Sequence, residues 1–396
     1  MTRRTAFPQW FRATGPVVLG LAVVLCGCGG PERRQPSGVR LAPGTTGQAR
    51  PVPQPVQPPP RNTTPTPAYV PPSPPPQPAF PAPPPPVVQP RPAQLAPTAP
   101  LASVPPAARP AWIPLQTWAA QMGLSAPVRV SQTAFQVRSA SGGTFQLDVG
   151  KRAASWNGIK FHLGFAPAAT NGVPFIHSLD AEKNLGPLLQ VNRPVPRHRG
   201  VIVIDPGHGG TEVGTKSALG PHFEKEWTLD WAKRLKPLLE QRGWRVVLTR
   251  TTDKGVELPE RVLIAEQQQA DLFISLHLNA AGPGAAGLET YCLTPVGMPS
   301  TLTRNYSDPV NVALPGNARD FDNMHLAMRV HRSLLQTVGM HDRGVQRARF
   351  MAVLKTQQRP AILIEGGYLS DRNEAQKLAS QDYRQKLALA VARALE

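Results

Sequence analysis

The second half of this 396-residue chain predicts an α/β domain: a mostly parallel sheet with helices on both faces. Three observations predict it. Short, largely apolar runs at 201–204, 272–276 (interrupted only by Ser275) and 361–364 read as strands buried on both faces. Amphipathic helical stretches at 223–242, 258–269, 321–338 and 371–395 alternate with them and with a further strand at 244–248. Each of the three runs also ends in residues able to do chemistry: Asp205 and His208 in a glycine-rich turn, His277 with Asn279, and Glu365 ahead of two glycines. In open α/β sheets ligands bind outside the carboxyl ends of the strands, so these residues are expected to converge.

The N-terminus reads as a targeting segment. Arg3, Arg4 and Arg12 form a basic region, and residues 17–25 form an apolar stretch too short for a comfortable transmembrane helix. The segment ends Leu25-Cys26-Gly27-Cys28, which resembles a bacterial lipobox with Cys28 as the lipidated residue. That resemblance implies residues 1–28 as signal peptide, a membrane contact through a lipid anchor, and a periplasmic or cell-envelope location. With Cys28 lipidated, the remaining Cys26 and Cys292 provide no disulfide framework.

Residues 29–110 are a proline-rich linker. Of the 48 prolines, 30 lie between residues 31 and 114, and such a segment cannot bury enough apolar surface to offset its ordering entropy. As a polyproline-like spacer it would reach at most about 250 Å at about 3.1 Å per residue. The net charge of +18 is skewed in the same direction: residues 1–110 hold ten arginines and one acid, 10 − 1 = +9. Those arginines are scattered among prolines without interleaved aromatics, so nucleic acid is not an expected partner. A solvated tail or attraction to an anionic surface remain the alternatives.

Residues 111–197 regain aromatics and charge and read as a small α+β module. A helix is expected at 115–122, strands at 134–137, 144–149 and 160–163, and a second helix at 177–185 stopped by Gly186-Pro187. Gly142-Gly143 and Asn157-Gly158 are turn signals. Trp156-Asn157-Gly158 and the stretch 171–175 are similar to the N-terminal stalk module of copper amine oxidases, without its copper ligands. In the last part of the chain, residues 199–396, Pro237 predicts a kink or break in the 223–242 helix.

Taken singly, the chemical residues leave alternatives. His208 is a metal ligand or a histidine in a flexible turn; a phosphate loop is disfavoured because the Walker lysine and spacing are missing. Glu224 opens a helix, as a ligand or as a partner of the helix dipole, and Glu226 competes with it. His277 is a ligand or a satisfied core histidine, with Asn279 expected to orient it and Asp205 in a similar supporting role. Glu365 leaves a buried strand, which is costly unless the carboxylate is paired or functional.

Together, seven stretches of residues 199–396 resemble the zinc-dependent type 3 family of N-acetylmuramoyl-L-alanine amidases, in the family's order. They are residues 204–210, Glu224-Lys225, 248–250 with Asp253, 271–280, 287–291, Arg343-Gly344-Val345 and 364–368. The resemblance implies Zn²⁺ held by His208, Glu224 and His277, with Glu365 handling the water. It implies peptidoglycan as substrate, cut between N-acetylmuramic acid and the first L-alanine, and an activator protein as a further partner. The alternative is a catalytically degenerate protein that binds peptidoglycan without cutting it. Glu212-Val213 stands where the family usually has Asp-Pro, and Glu266 where it often has Asn. Residues 294–322 are broken by Pro295, Pro299, Pro309 and Pro315, which predicts a loop where some members carry an inhibitory helix.

Overall fold

The computed structural model describes residues 111–189, 200–302 and 308–396. The expected signal peptide, Cys28 and the proline-rich linker lie outside the described residues. No helix among those described is long and apolar enough to cross a membrane.

Residues 111–189 open with β1 (Trp112–Pro114) and α1 (Leu115–Gln121). A meander follows: β2 (Val128–Arg129), β3 (Ala134–Arg138), β4 (Thr144–Asp148), β5 (Ala153–Trp156) and β6 (Ile159–His162). The β5–β6 turn places Asn157 at φ 50° and Gly158 at φ 77°, the pair of left-handed residues that a tight hairpin requires. Then come β7 (Ala168–Thr170), β8 (Val173–His177), α2 (Ser178–Asp180), a π-helical turn (Ala181–Leu185) and α3 (Gly186–Leu189). The sequence predicts a stop at Gly186-Pro187, but the helical path continues there: the wider π-turn carries it on through α3.

The second part runs β9 (Val201–Pro206), α4 (Glu224–Glu240), β10 (Arg245–Leu248), α5 (Leu258–Gln267), β11 (Leu272–Asn279) and β12 (Leu288–Cys292). After a 3₁₀ turn (Pro315–Arg319) it continues with α6 (Asp320–Val338), β13 (Asp342–Arg347), α7 (Ala352–Lys355), β14 (Ala361–Tyr368), α8 (Arg372–Ala379) and α9 (Gln381–Ala394). The helix α4 runs through Pro237 unbroken. Its buried face (Trp227, Trp231, Leu235 and Leu239, four residues apart) holds it together despite the hydrogen bond that proline cannot donate. The single helix expected at 371–395 is two, because Ser380 is extended (φ −71°, ψ 129°) and starts α9 as its N-cap.

Among the described residues the principal sheet has eleven strands in the order β10-β9-β11-β14-β12-β13-β6-β5-β4-β3-β2, beside a small sheet β1-β8-β7. Strands β10, β9, β11 and β14 are parallel, β12 is antiparallel to β14, and β13 is parallel to β12. The strand period of two sends alternate residues to opposite faces. Ile202, Ile204, Ile274, Leu276, Ile362 and Ile364 enter one core with α4, α6 and α9. Val203, Phe273 and Leu363 enter a second core with α5 and α7. This is the α/β class the runs predict, with helices on both faces.

The sheet does not end where the chemical residues end. Strand β6 pairs in parallel with β13, bringing Phe161 opposite Val345. Lys160 donates from its backbone N–H to Asp342 Oδ2 (2.8 Å) and from Nζ to the Asp342 carbonyl (2.8 Å). Arg347, 1% exposed, reaches Asn184 Oδ1 (3.0 Å) and the carbonyls of Leu293 (2.9 Å) and Lys183 (2.7 Å). Asn184 is fixed in turn by the buried Asp180 carboxylate, which also accepts the N–H groups of Gly164 and Phe165. Arg152 donates to the carbonyls of Ser300 and Pro299, so the proline-broken stretch packs against the meander. Its described residues hold turns and the 3₁₀ turn before α6, and no other helix.

Candidate metal centre

The parallel register explains how distant residues meet. Strand β11 lies between β9 and β14, pairing Ser275 with Asp205 on one side and His277 with Glu365 on the other. The turn after β9 carries His208, and Glu224 begins α4. One donor atom each from His208, Glu224 and His277 lies within 4.8 Å of the others. Glu224, 3% exposed, bridges the two rings: Oε2 is 3.1 Å from His208 Nε2 and Oε1 is 3.0 Å from His277 Nδ1. The backbone N–H groups of Thr215 and Leu278 donate to the same two oxygens, at 2.9 Å each.

The surroundings leave little room for change. A Cβ on Gly207 would lie 2.3–2.7 Å from the His277 ring, and one on Gly214 would lie 2.6–2.8 Å from His208 and Glu224. His208 itself holds φ 61°, a left-handed backbone uncommon for a residue with a side chain. Two arginines hold that turn. Arg250 donates to the carbonyls of Pro206 (3.0 Å) and Gly207 (2.8 Å), and Arg261 to those of Pro206 (3.0 Å) and His208 (3.0 Å). Asp205 supports the centre at one remove. Fully buried, it accepts from Arg261 (2.7 Å), Thr249 (2.6 Å) and Ser275 (2.7 Å).

The sequence predicts that Asn279 orients His277, but no hydrogen bond joins the two. Its amide donates to Glu289 Oε2 (2.9 Å) and its oxygen accepts the Ala280 N–H. The reason is the irregular register between His277 and Asn279, which turns Asn279 toward β12. Glu289 is fully buried and gathers three more donors: Tyr291 (2.6 Å), Arg343 (2.7 Å) and Tyr368 (3.1 Å). It pairs across the antiparallel β12–β14 ladder with Glu365.

Glu365 has no such partners. Its Oε2 is buried and accepts no hydrogen bond among the described residues. Burial, and then the charges of Glu224 and Glu289, push its carboxyl well above the ordinary range, with His208 pulling the other way. Burial disfavours the His208 cation, but hydrogen bonds and charge from Glu212 and Glu224 outweigh this and push it up to about 10. Burial also opposes the Glu224 anion, yet the two histidines hold its carboxyl well below the ordinary range.

This donor set fits a catalytic zinc. Two imidazoles and one carboxylate converge in a glycine cradle, and an unpartnered buried carboxyl oxygen belongs to the residue paired with one ligand. Metal binding would displace the proton that His208 shares with Glu224, so uptake should release a proton and strengthen as pH rises toward about 10.

Glu212 is the residue that sequence reasoning undervalued. Its Oε1 lies 3.0 Å from His208 Nδ1, and a reciprocal backbone pair between Gly209 and Glu212 fixes its place. A carboxylate behind a ligating imidazole sets the tautomer and orientation of the ring. The signal was its position four residues after His208. Glu212→Ala is expected to weaken zinc affinity by about 10–100-fold. Competition with a fluorescent chelator measures this, and an unchanged affinity would remove Glu212 from the centre.

A family model described as N-acetylmuramoyl-L-alanine amidase matches residues 202–396. The N-acetylmuramoyl-L-alanine amidase CwlM of Bacillus licheniformis is 35% identical over 189 residues, covering 47% of this chain and 64% of that protein. The N-acetylmuramoyl-L-alanine amidase AmiA of Escherichia coli is 32% identical over 214 residues, covering 48% of this chain and 73% of that protein. Among solved structures, the amidase AmiC2 of Nostoc punctiforme shares 35% identity at a TM-score of 0.42, covering 50% of this chain and 96% of that one. With the matched region spanning the whole candidate centre, from His208 to Glu365, the chain belongs to the N-acetylmuramoyl-L-alanine amidase family of enzymes.

Proposed function

We propose that this protein is a zinc-dependent amidase that hydrolyses the bond between N-acetylmuramic acid and L-alanine in peptidoglycan. The observation that carries the reading is the convergence of His208, Glu224 and His277 with Glu365 opposite His277 in the β11–β14 register. His208, Glu224 and His277 would hold the metal. Zinc bound there supplies Lewis acidity, polarising the amide carbonyl and bringing a water's pKa to about 7. With the metal's positive charge offsetting the push of Glu224 and Glu289, Glu365 would lose its proton and act through Oε2, its buried and unpartnered oxygen, taking the water's proton and passing it to the leaving amine. Arg250 and Arg261 keep the His208 turn in shape while the charge moves.

The proposed location is the periplasm or cell envelope, with Cys28 lipidated and residues 29–110 as a spacer between membrane and wall. Metabolic labelling with a radioactive fatty acid is expected to mark the chain and to fail on Cys28→Ala; label retained on the variant would exclude that anchor. For the activity, purified peptidoglycan is digested with the full chain and newly exposed L-alanine amino groups are counted. Release is expected, with loss on chelation and recovery on adding zinc. No release from a folded, zinc-loaded chain would favour a wall-binding protein or the need for an activator.

A further inference from the structure

A cleft of about 250 Å³ lies away from the candidate metal centre, lined by the β5–β6 turn, α3 and α6. Trp156 and Asn157 come from the turn, Leu188 from α3, and Met328, Arg329 and Arg332 from one side of α6, with His325 beside them. Two arginines thus face a small space whose other walls are the Trp156 indole, the Asn157 amide, the His325 imidazole and the apolar side chains of Leu188 and Met328.

The arginines differ. Arg329 is engaged: its Nη2 donates to the Glu396 carbonyl oxygen at 2.6 Å. Arg332 has no hydrogen bond or ion pair among the described residues, and burial alone disfavours its cation, without an acid nearby to oppose that. A half-buried guanidinium without an acceptor is costly, and the cost falls when an anion occupies the adjoining space. Asn157 has committed its Oδ1 to the Thr144 N–H, which leaves its NH₂ as a further donor at the rim. The lining therefore offers donors and apolar walls and no carboxylate.

We infer that this cleft is a second, non-catalytic subsite that takes a carboxylate of the peptidoglycan stem peptide, with Arg332 as its anchor. The size argues for a single amino-acid unit, since pockets for larger ligands run to about 300–1,000 Å³. A planar guanidinium matches a carboxylate in two-point geometry. The inference rests on the peptidoglycan reading of the metal centre for the identity of the polymer. Because the cleft joins α6 to the β5–β6 turn, it would also use residues 111–189 in holding the wall.

The test is a nuclear magnetic resonance titration of the full chain, metal-stripped to stop turnover, with disaccharide-tetrapeptide fragments of peptidoglycan. The Asn157 side-chain amide and the Arg332 Nε–H report on the cleft. Saturable shifts at both are expected. Affinity read at Asn157 should fall about tenfold in Arg332→Gln, with partial recovery in Arg332→Lys. Fragments whose carboxyls are amidated should bind as weakly as the variant. Unshifted resonances, or equal affinity in wild type and both variants, would overturn the subsite. Inorganic phosphate shifting the same signals more strongly than the fragments would overturn the carboxylate assignment. Hydrolysis is measured separately on the zinc-loaded chain. Amine release without Arg332-dependent binding sinks the subsite alone, and the reverse sinks the amidase reading alone.

Discussion

Residues 200–396 expressed without residues 111–189 are expected to melt about 10–20 °C below residues 111–396, or not to fold. The two parts share one sheet, and cutting between them bares the whole edge of β13. An unpaired edge is a template for aggregation, and β13 has no proline to blunt it. The cut also strips Arg347 of Asn184 and the Lys183 carbonyl, and Asp342 of both its Lys160 donors. Phe161 and Leu163, 0% and 1% exposed, leave the core they share with α6. Taking the loss as on the order of 5 kcal/mol against a total stability of about 5–15 kcal/mol gives that shift in melting temperature. Thermal melts followed by circular dichroism measure it. Equal melting temperatures for the two fragments would show the meander to be an appendage.

Glu365→Gln is expected to lose about 10²–10⁴-fold in amide cleavage while binding the same amount of zinc. The substitution keeps the shape and removes the proton acceptor. A second readout separates this role from a structural one. The folded metal-free chain holds the Glu365 proton far more tightly than the unfolded chain does. Stability from that proton is present at low pH and is lost as pH rises above the ordinary glutamate value of 4.5. Glutamine cannot ionise beside Glu224 and Glu289, so the metal-free variant should melt higher than wild type at neutral pH. Activity falling while stability rises is the mark of a functional carboxylate held in an unfavourable place. Activity retained within tenfold would move the base elsewhere, with Glu289 the nearest alternative in the sheet.

The sequence makes some of this legible and hides the rest for physical reasons. Strands β9, β11 and β14 are buried on both faces, so apolar residues run up to Asp205, His277 and Glu365, broken only by Ser275, and stand out. Strands β12 and β13 are equally central but read Leu-Glu-Thr-Tyr-Cys and Asp-Arg-Gly-Val-Gln-Arg. Most of their polar residues are satisfied from other elements: Glu289 by Asn279, Arg343 and Tyr368 besides its near neighbour Tyr291, and Arg347 by Asn184. No local period reveals such pairs. The same holds at the centre. The approach of His208, His277 and Glu365 follows from strand ends, with Glu224 joining from the start of α4, whereas the turn of Asn279 toward Glu289 follows from a one-residue irregularity in register. Glu212 was visible as a carboxylate close to a histidine, but only the reciprocal Gly209–Glu212 pair turns that proximity into contact.

The arginine clasp on the His208 turn bears on supply. Arg250 and Arg261 tie down three successive carbonyls, Pro206 through His208, from side chains anchored in the protein itself. The turn is thus shaped by protein contacts before any ion arrives. A turn braced in this way would not depend on the ion proposed to bind there for its shape. Under the proposed function, the working fraction of the protein would track free zinc in its surroundings, so scarcity of the ion would slow amide cleavage without any change in how much protein is present.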